Sequence, residues 1–444
     1  MEILRHTKSV CPVCLQQIPA RKVRKSGGIF LEKECPEHGA FSVVVWRDRE
    51  DFEAWTGELP EVQKHENRHC PDGCGLCPDH RRDTCCVLLE VTDRCNLGCT
   101  YCFADNGHRQ DPVLEEVKGW LQELAAPGQT LVQLSGGEPT VREDLPEIVA
   151  YAREIGCKYV QLNTNGLRLA EDPEYVRRLA EAGLSFVFLQ FDGTDDRVWE
   201  KMRGRPLRAI KEQAIANCNA CSIGVTLVPT LVPGVNIQEI GNILRYGVEH
   251  SPAVRGVHFQ PVSFLGHMPA VPRDEIRFTL DELLEQIRKQ FGEGVPAESL
   301  VPSACDHPLC GFHGDFIVMP EGTLMPLTKR HTLQAGCCCG ASAENPAEKN
   351  REFVGRRWLR RQEKSDDECC PEGQGGTDSE AAPDITSLEG FLDRAKSHGF
   401  TITAMAFQDA GTLDVERLRQ CSLHVYRDGK HIPFCAYYLT AFPE

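Results

Sequence analysis

The sulfur atoms carry most of the chemistry that this chain can do. In "CNLGCTYC", Cys95, Cys99 and Cys102 are spaced C-x3-C-x2-C directly after an apolar run, "VLLEVT". Three thiolates on one short loop can ligate three irons of a [4Fe–4S] cluster and leave the fourth iron open to a ligand. A structural zinc knuckle is the plainer alternative, although zinc sites favour paired C-x2-C units and a fourth ligand. The following runs favour the cluster. The next one ends in "LSGGEPT", where Gly136 and Gly137 permit close backbone approach to a ligand, Glu138 can accept from an ammonium and Pro139 follows. The third ends in "NTNG" and the fourth in "LQFDG". Ligand groups at successive strand C-termini mark the working face of a barrel.

The remaining sulfurs fall into sets. Cys11-x2-Cys14 and Cys35-x2-His38 have the spacing of a zinc ribbon or a rubredoxin-like site, so a mononuclear Zn or Fe is expected. The plain reading of His38 is a surface histidine beside three cysteines. Cys70, Cys74 and Cys77 repeat the C-x3-C-x2-C spacing, with Cys85 and Cys86 close behind; a closed auxiliary [4Fe–4S] cluster is the favoured reading and a second zinc site the alternative. Cys305 and Cys310, with Cys421 and Cys435, can converge on a second auxiliary cluster or can be buried core cysteines. Cys337, Cys338 and Cys339 are adjacent, so they point in different directions and cannot easily serve one cluster. They read either as a candidate redox or sulfur-chemistry loop near the barrel mouth or as metal-responsive or incidental thiols. Cys157, Cys218 and Cys221 read as packing residues, and His307 and His313 as surface groups that lie near the second auxiliary set.

The elements that must position these residues follow from length and pattern. A chain of 444 residues exceeds one ordinary domain. Residues 1–66 read as a small zinc-ribbon or rubredoxin-like module and 67–86 as a cysteine-rich connector. From 87 to 275, six short apolar strands alternate with amphipathic helices, an α/β pattern that predicts a partial (β/α)6 barrel. Residues 276–444 form a C-terminal auxiliary-cluster region. It holds a hairpin turning at Glu321-Gly322 and an insertion at about 340–386, read as flexible with one solvated basic helix near "VGRRWLRRQ". A net charge of -16 argues against a nucleic-acid partner. No run is long enough and apolar enough to span a membrane. The opening residues lack the apolar core of an export signal, and the chain carries 23 cysteines, so a reducing cytoplasm is expected.

The pairing of C-x3-C-x2-C with GGEP resembles the radical SAM superfamily. The resemblance implies that Cys95, Cys99 and Cys102 hold the cluster and that its open iron binds S-adenosylmethionine. It implies that Gly136, Gly137 and Glu138 contact the methionyl end, and that Asn165 and Gln190 contact the adenosyl or ribose part. It also implies a low-potential electron donor such as ferredoxin or flavodoxin. Longer stretches, "CGLCPDHRRDTC", "LVPTLVPGVN", "HFQPVSFLG" and "IPFCAYYLT", are similar to the group containing archaeal tetraether lipid synthase and the dihydropterin methyltransferases. That likeness implies Cys85, rather than Cys86, as fourth ligand of the connector cluster. It also places Cys305, Cys310, Cys421 and Cys435 on the second auxiliary site. A fainter resemblance links the region after 337 to bacterial radical SAM (seleno)proteins.

The expected function is hydrogen abstraction by a 5'-deoxyadenosyl radical, leading to carbon–carbon bond formation or methyl transfer on a lipid-like or heterocyclic small molecule. A peptide-modifying or sulfur- or selenium-handling radical SAM enzyme is the alternative within the class. A non-catalytic Fe–S/zinc electron carrier is the alternative outside it, disfavoured because it needs neither GGEP nor NTNG.

Overall fold

The computed structural model describes residues 1–57, 70, 71, 76, 79–104, 110–125, 130–266, 273–329, 355, 357–360, 387–440 and 442. Cys74, Cys77 and Cys337, Cys338 and Cys339 lie outside the described residues.

The N-terminal module is an antiparallel meander of β1 (Glu2–Val10), β2 (Gln17–Lys25), β3 (Gly28–Cys35) and β4 (Gly39–Trp46), paired in that order. Its two knuckles are the turn between β1 and β2 and the turn between β3 and β4. Cys11, Cys14, Cys35 and His38 therefore meet at one end of the sheet. The other end buries Ile29 and Trp46 against Phe52 and Trp55.

Six parallel strands follow in sequence order: β5 (Cys86–Thr92), β6 (Leu131–Gly136), β7 (Tyr159–Thr164), β8 (Phe186–Gln190), β9 (Gly224–Val228) and, after the two-residue β10 (Thr230–Leu231), β11 (Val254–Pro261). These are the six apolar runs of the sequence. Helices such as Leu145–Glu154 and Pro173–Glu181 present one apolar stripe each to the outer face of the sheet, burying Ile148 and Val149, and Val176 and Leu179.

The sheet does not stop at six. The C-terminal region contributes β12 (Val301–Pro302), β13 (Gly311–Val318), β14 (Leu324–Pro326), β15 (Gly399–Met405), β16 (Leu423–Arg427) and β17 (Lys430–Pro433). Strand β15 pairs parallel to β11, and β16 pairs parallel to β5. The parallel array is therefore β15-β11-β9-β8-β7-β6-β5-β16, edged by antiparallel β13 and β17 and not closed into a barrel. The β13/β14 hairpin turns at Gly322, whose φ of 79° is the left-handed conformation that glycine tolerates.

Two local expectations change. The basic run near 355–360 is not simply solvated: Trp358 is 7% exposed, packs edge-on against Phe186 and Phe188, and donates Nε1–H to Thr401 at 2.8 Å. An indole is too apolar to leave in water when an open end of the lumen is available. His307 is also not a surface group. It is buried, and its Nδ1 accepts from the Leu309 N–H at 3.1 Å. Cys157 and Cys218 lie in the core, with Cys221 packed against it.

The module docks on the C-terminal region through buried polar contacts. Lys22 Nζ pairs with Asp414 at 2.5 Å, Thr7 donates to the same carboxylate at 2.6 Å, and Lys33 Nζ donates to the Ala410 carbonyl at 2.6 Å.

Candidate active site and metal centres

At the mouth of the sheet, β5 runs out at Thr92, three residues before Cys95. The end of β6 is pressed against this point: Gly137 N–H donates to Thr92 O and Glu138 N–H to Arg94 O, both at 2.8 Å. A Cβ on Gly136 would lie 2.1 Å from Thr92 O, and one on Gly137 would lie 2.3 Å from Arg94 O. The two glycines were expected to permit approach of a ligand. The approach they permit in the first place is that of the cysteine loop's own base. The far side of the loop rests on the helix Asp196–Arg203, where Thr100 N–H donates to Met202 O at 3.1 Å.

The structure brings Cys95, Cys99 and Cys102 to one cavity with Gly137, Glu138, Asn165 and Gln190. Burial first, then the nearby Glu138, Cys99 and Cys102, push the Cys95 thiol up to about 11. A thiol held up in this way suits a metal cluster that stabilises its thiolate.

Glu138 is 1% exposed and fully engaged on one oxygen. Its Oε1 accepts from Thr140 N–H at 3.1 Å and from the Thr140 and Thr164 hydroxyls at 2.6 Å, whereas Oε2 accepts from Asn165 N–H alone, at 2.6 Å. The carboxylate thus staples the ends of β6 and β7 and keeps acceptor capacity on Oε2. Asn165 Nδ2 donates to Asn96 in the cysteine loop at 2.7 Å. Gln190 donates to Asp192 and accepts from Lys211 Nζ at 3.1 Å. Pro139 opens a short 3-10 turn and is buried.

Several site residues carry no motif. Lys211, on the helix Arg208–Ala220, is 0% exposed, donates to Asn165 O and lies 5.0 Å from the centre of the Trp199 ring. Burial lowers its pKa to about 7, against the attraction of Asp192. Asp192 and Arg203 form a buried bidentate pair at 2.7 and 3.0 Å, and Asp192 also accepts from Thr230 N–H. A readable signal existed for the lumen itself. Glutamines interrupt four otherwise apolar strands, as Gln133, Gln161, Gln190 and Gln260. In a parallel strand a lone polar residue in an apolar run points to an interior that is not simply hydrocarbon.

The cavity measures ≈ 330 Å³ and runs from the cluster cysteines down the lumen to Trp358. Gln161 donates to Asn163 at 2.6 Å, and its Oε1 is buried without a partner among the described residues. His258 bonds Thr403 at 2.8 Å, and burial lowers it to about 4, so its imidazole is neutral.

The N-terminal set is complete. Ligand atoms of Cys11, Cys14, Cys35 and His38 all lie within 4.8 Å of one another. His38 Nδ1 is 3.6 Å from Cys11 Sγ and 3.4 Å from Cys35 Sγ, so it faces the cage rather than solvent. Desolvation opposes ionisation of Cys35, but His38 and the backbone N–H groups of Glu37 and His38 bring it down to about 6. Four such ligands suit a tetrahedral ion.

The other described cysteines lie along the connector and around two cavities. Cys70 is buried near the module, and Gln17 donates to its carbonyl at 2.6 Å. Cys85 and Cys305 lie against each other and line the large cavity. Cys86 begins β5 and accepts from Gln133 Nε2 at 3.3 Å. Cys310, Cys421 and Cys435 line a separate small cavity with Arg417. Burial pushes the Cys435 thiol up to about 12.

Comparison with known proteins agrees with this architecture. The family model of the Radical SAM superfamily matches residues 89–247, and that of the HMPTM N-terminal zinc ribbon domain matches residues 3–47. The chain is 33% identical to 7,8-dihydro-6-hydroxymethylpterin dimethyltransferase of Methanocaldococcus jannaschii, over 98% of this chain and 93% of the relative. It is 33% identical to Fe-coproporphyrin III synthase of Methanosarcina barkeri over 50% of this chain and 56% of that one. Among solved structures, Streptococcus suis SuiB bound to S-adenosylmethionine aligns over 47% of each chain, at 17% identity and a TM-score of 0.40. The ribbon match favours zinc over iron in the N-terminal cage. No helix among the described residues is long and apolar enough to cross a membrane. With one relative matched across nearly the whole length, the chain belongs to the radical SAM superfamily, in the zinc-ribbon-bearing family of that dimethyltransferase.

Proposed function

We propose that this radical SAM enzyme transfers carbon, as methyl, from a second molecule of S-adenosylmethionine to a small neutral heterocycle of the reduced-pterin type, with two electrons from the low-potential donor and S-adenosylhomocysteine, methionine and 5'-deoxyadenosine as co-products. The observation that carries the reading is the cavity. It is continuous with Cys95, Cys99 and Cys102 at one end, and its walls carry the carboxamides of Gln133, Gln161 and Gln260 and the neutral His258. Carboxamides offer paired donors and acceptors, as a fused nitrogen heterocycle does, and a lipid chain would leave their free acceptors unmatched. The unpartnered Gln161 Oε1 adds an acceptor for a ring N–H. The dimethyltransferase relative, named for a pterin, supports the same substrate class over a lipid.

Cys95, Cys99 and Cys102 would hold the [4Fe–4S] cluster, and Gly136, Gly137, Glu138, Asn165 and Gln190 would surround S-adenosylmethionine. When bound, the reduced cluster and S-adenosylmethionine supply a 5'-deoxyadenosyl radical that takes hydrogen from an unactivated carbon. The chain's own residues do the rest. Glu138 offers Oε2 to the ammonium of the methionyl end. Lys211 fixes Asn165 and Gln190 from behind, and the Asp192–Arg203 pair braces the cysteine loop. Trp358, with Phe186 and Phe188, closes the lower lumen and keeps water from a radical. The electron needed suits a low-potential donor such as ferredoxin or flavodoxin, and 23 cysteines suit a reducing compartment such as the cytoplasm.

The test is anaerobic turnover of reduced protein with S-adenosylmethionine, with and without a reduced pterin. A pterin-dependent rise in 5'-deoxyadenosine and a methylated pterin are expected. Formation of 5'-deoxyadenosine that the pterin leaves unchanged would sink the substrate class.

A further inference from the structure

We propose that Cys310, Cys421 and Cys435 form a cluster site of three thiolates bound to Arg417, and that Cys305 belongs instead with Cys85. The inference rests on the reading that auxiliary clusters are present.

The three cysteines arrive from separate places: Cys310 just before β13, Cys421 just before β16, and Cys435 in the short helix Phe434–Tyr437. They line one small cavity. Arg417 enters it almost wholly buried, and its Nε–H donates to Cys310 Sγ at 3.0 Å. Its Nη2 donates to the Ala406 carbonyl. The nearby acid, Asp414, is already taken by Lys22 and Thr7. Asp306 lines the same cavity, but its Oδ1 accepts from Ser422 N–H; the groups that accept hydrogen bonds from the guanidinium are the Cys310 sulfur and the Ala406 carbonyl. Arginine stays charged, and neutral thiols do not compensate it; an uncompensated buried charge is strongly destabilising. Thiolates on a metal cluster carry the missing negative charge. The Gln408 N–H also donates to Cys435 Sγ, at 3.2 Å, the kind of N–H···S bond that cluster sulfurs receive.

Cys305 does not share this cage. It lies against Cys85, and its thiol also contacts Asp306 Oδ2 at 3.3 Å and Ser303 Oγ at 3.4 Å. Asp306 stands between the two sets, its Oδ1 accepting from Ser422 N–H at 2.7 Å. The three-cysteine set leaves one iron of a four-iron cluster for a ligand from outside it. A cation that donates to cluster sulfur stabilises the more negative, reduced state, so Arg417 holds the potential of this cluster up.

The test starts from a background in which Cys95, Cys99 and Cys102 are all replaced by alanine, so that the remaining iron is auxiliary. Iron content and the EPR signals of the reduced protein are followed through a potential titration. Cys85→Ser and Cys305→Ser should alter one and the same signal, and Cys310→Ser and Cys421→Ser the other. In each variant the untouched signal and the retained zinc report an intact fold. Arg417→Gln should move the midpoint of the second signal to lower potential and leave the first in place, with Arg417→Lys intermediate. Loss of the same signal in Cys305→Ser and Cys421→Ser would overturn the grouping. Unmoved potentials in Arg417→Gln would overturn the role of the arginine. A background protein with zinc but no iron would instead refute the auxiliary clusters themselves.

Discussion

The N-terminal cage and the barrel mouth both gather cysteines, yet they are built on opposite plans. The cage draws its four ligands from two turns of one meander, and their atoms fall within 4.8 Å before any ion is considered. The mouth has three sulfurs on one loop, and the loop is shaped by other strands: by Gly136 and Gly137 beneath it, by Asn165 beside it and by the helix ending at Arg203. A closed cage can be folded and filled on its own. A cradle with one open position needs a scaffold that stops the loop from collapsing. The difference is the one expected between a structural and a catalytic metal site.

If this contrast holds, the largest effect should come from a residue that ligates nothing. Gly137→Ala puts a methyl group 2.3 Å from Arg94 O, which is backbone and cannot swing aside. The loop must shift by the order of an ångström, and misplacement on that scale lowers rate by about a hundredfold. Formation of 5'-deoxyadenosine should fall accordingly while zinc content stays at one per chain. Near-normal turnover in this variant would mean that the loop does not depend on the β6 terminus.

A smaller effect is expected from emptying the cage. Cys35→Ser should release the zinc and loosen the module, since the metal is what holds its two turns together. The module touches the C-terminal region through Lys22, Lys33 and Thr7. The 5'-deoxyadenosine rate should therefore fall by less than about tenfold, or roughly 1.4 kcal/mol in barrier. Full loss of turnover with barrel-mouth iron retained would show that the cage acts on the site and erase the distinction.

The same contrast explains what could be read from sequence. Cys11, Cys14, Cys35 and His38 were legible because each pair is local, and a C-x2-C or C-x2-H spacing itself fixes a knuckle. The six strands were legible because each is a short apolar run followed by a helical period. What was not legible is everything set by long-range pairing. Strands β15 and β16 lie more than a hundred residues beyond β11, yet they flank the parallel array at both ends. The partition of Cys305 from Cys310 depends on that return of the chain, not on the spacing in "CDHPLC". Trp358 was hidden by its neighbours: four arginines in "VGRRWLRRQ" suggest a solvated helix, and only the shape of the lumen shows where the indole goes.

A separate effect, on stability rather than turnover, concerns the lumen between these two extremes, where one titrating group distinguishes a sealed cavity from a wet one. Unfolded, His258 protonates near 6.5; folded, burial delays this to about 4. Between those values the unfolded chain binds the extra proton, so stability falls as pH drops from 6.5 towards 4. Above 6.5 neither form is charged and the residue contributes nothing to the pH dependence. The whole shift corresponds to the order of 3 kcal/mol. Anaerobic denaturant titrations across this window should show a flatter acid limb for His258→Gln than for the parent, with both coinciding above pH 7. Superimposable limbs would mean that water reaches the imidazole, and the cavity would then lack the dry interior that shields a carbon radical.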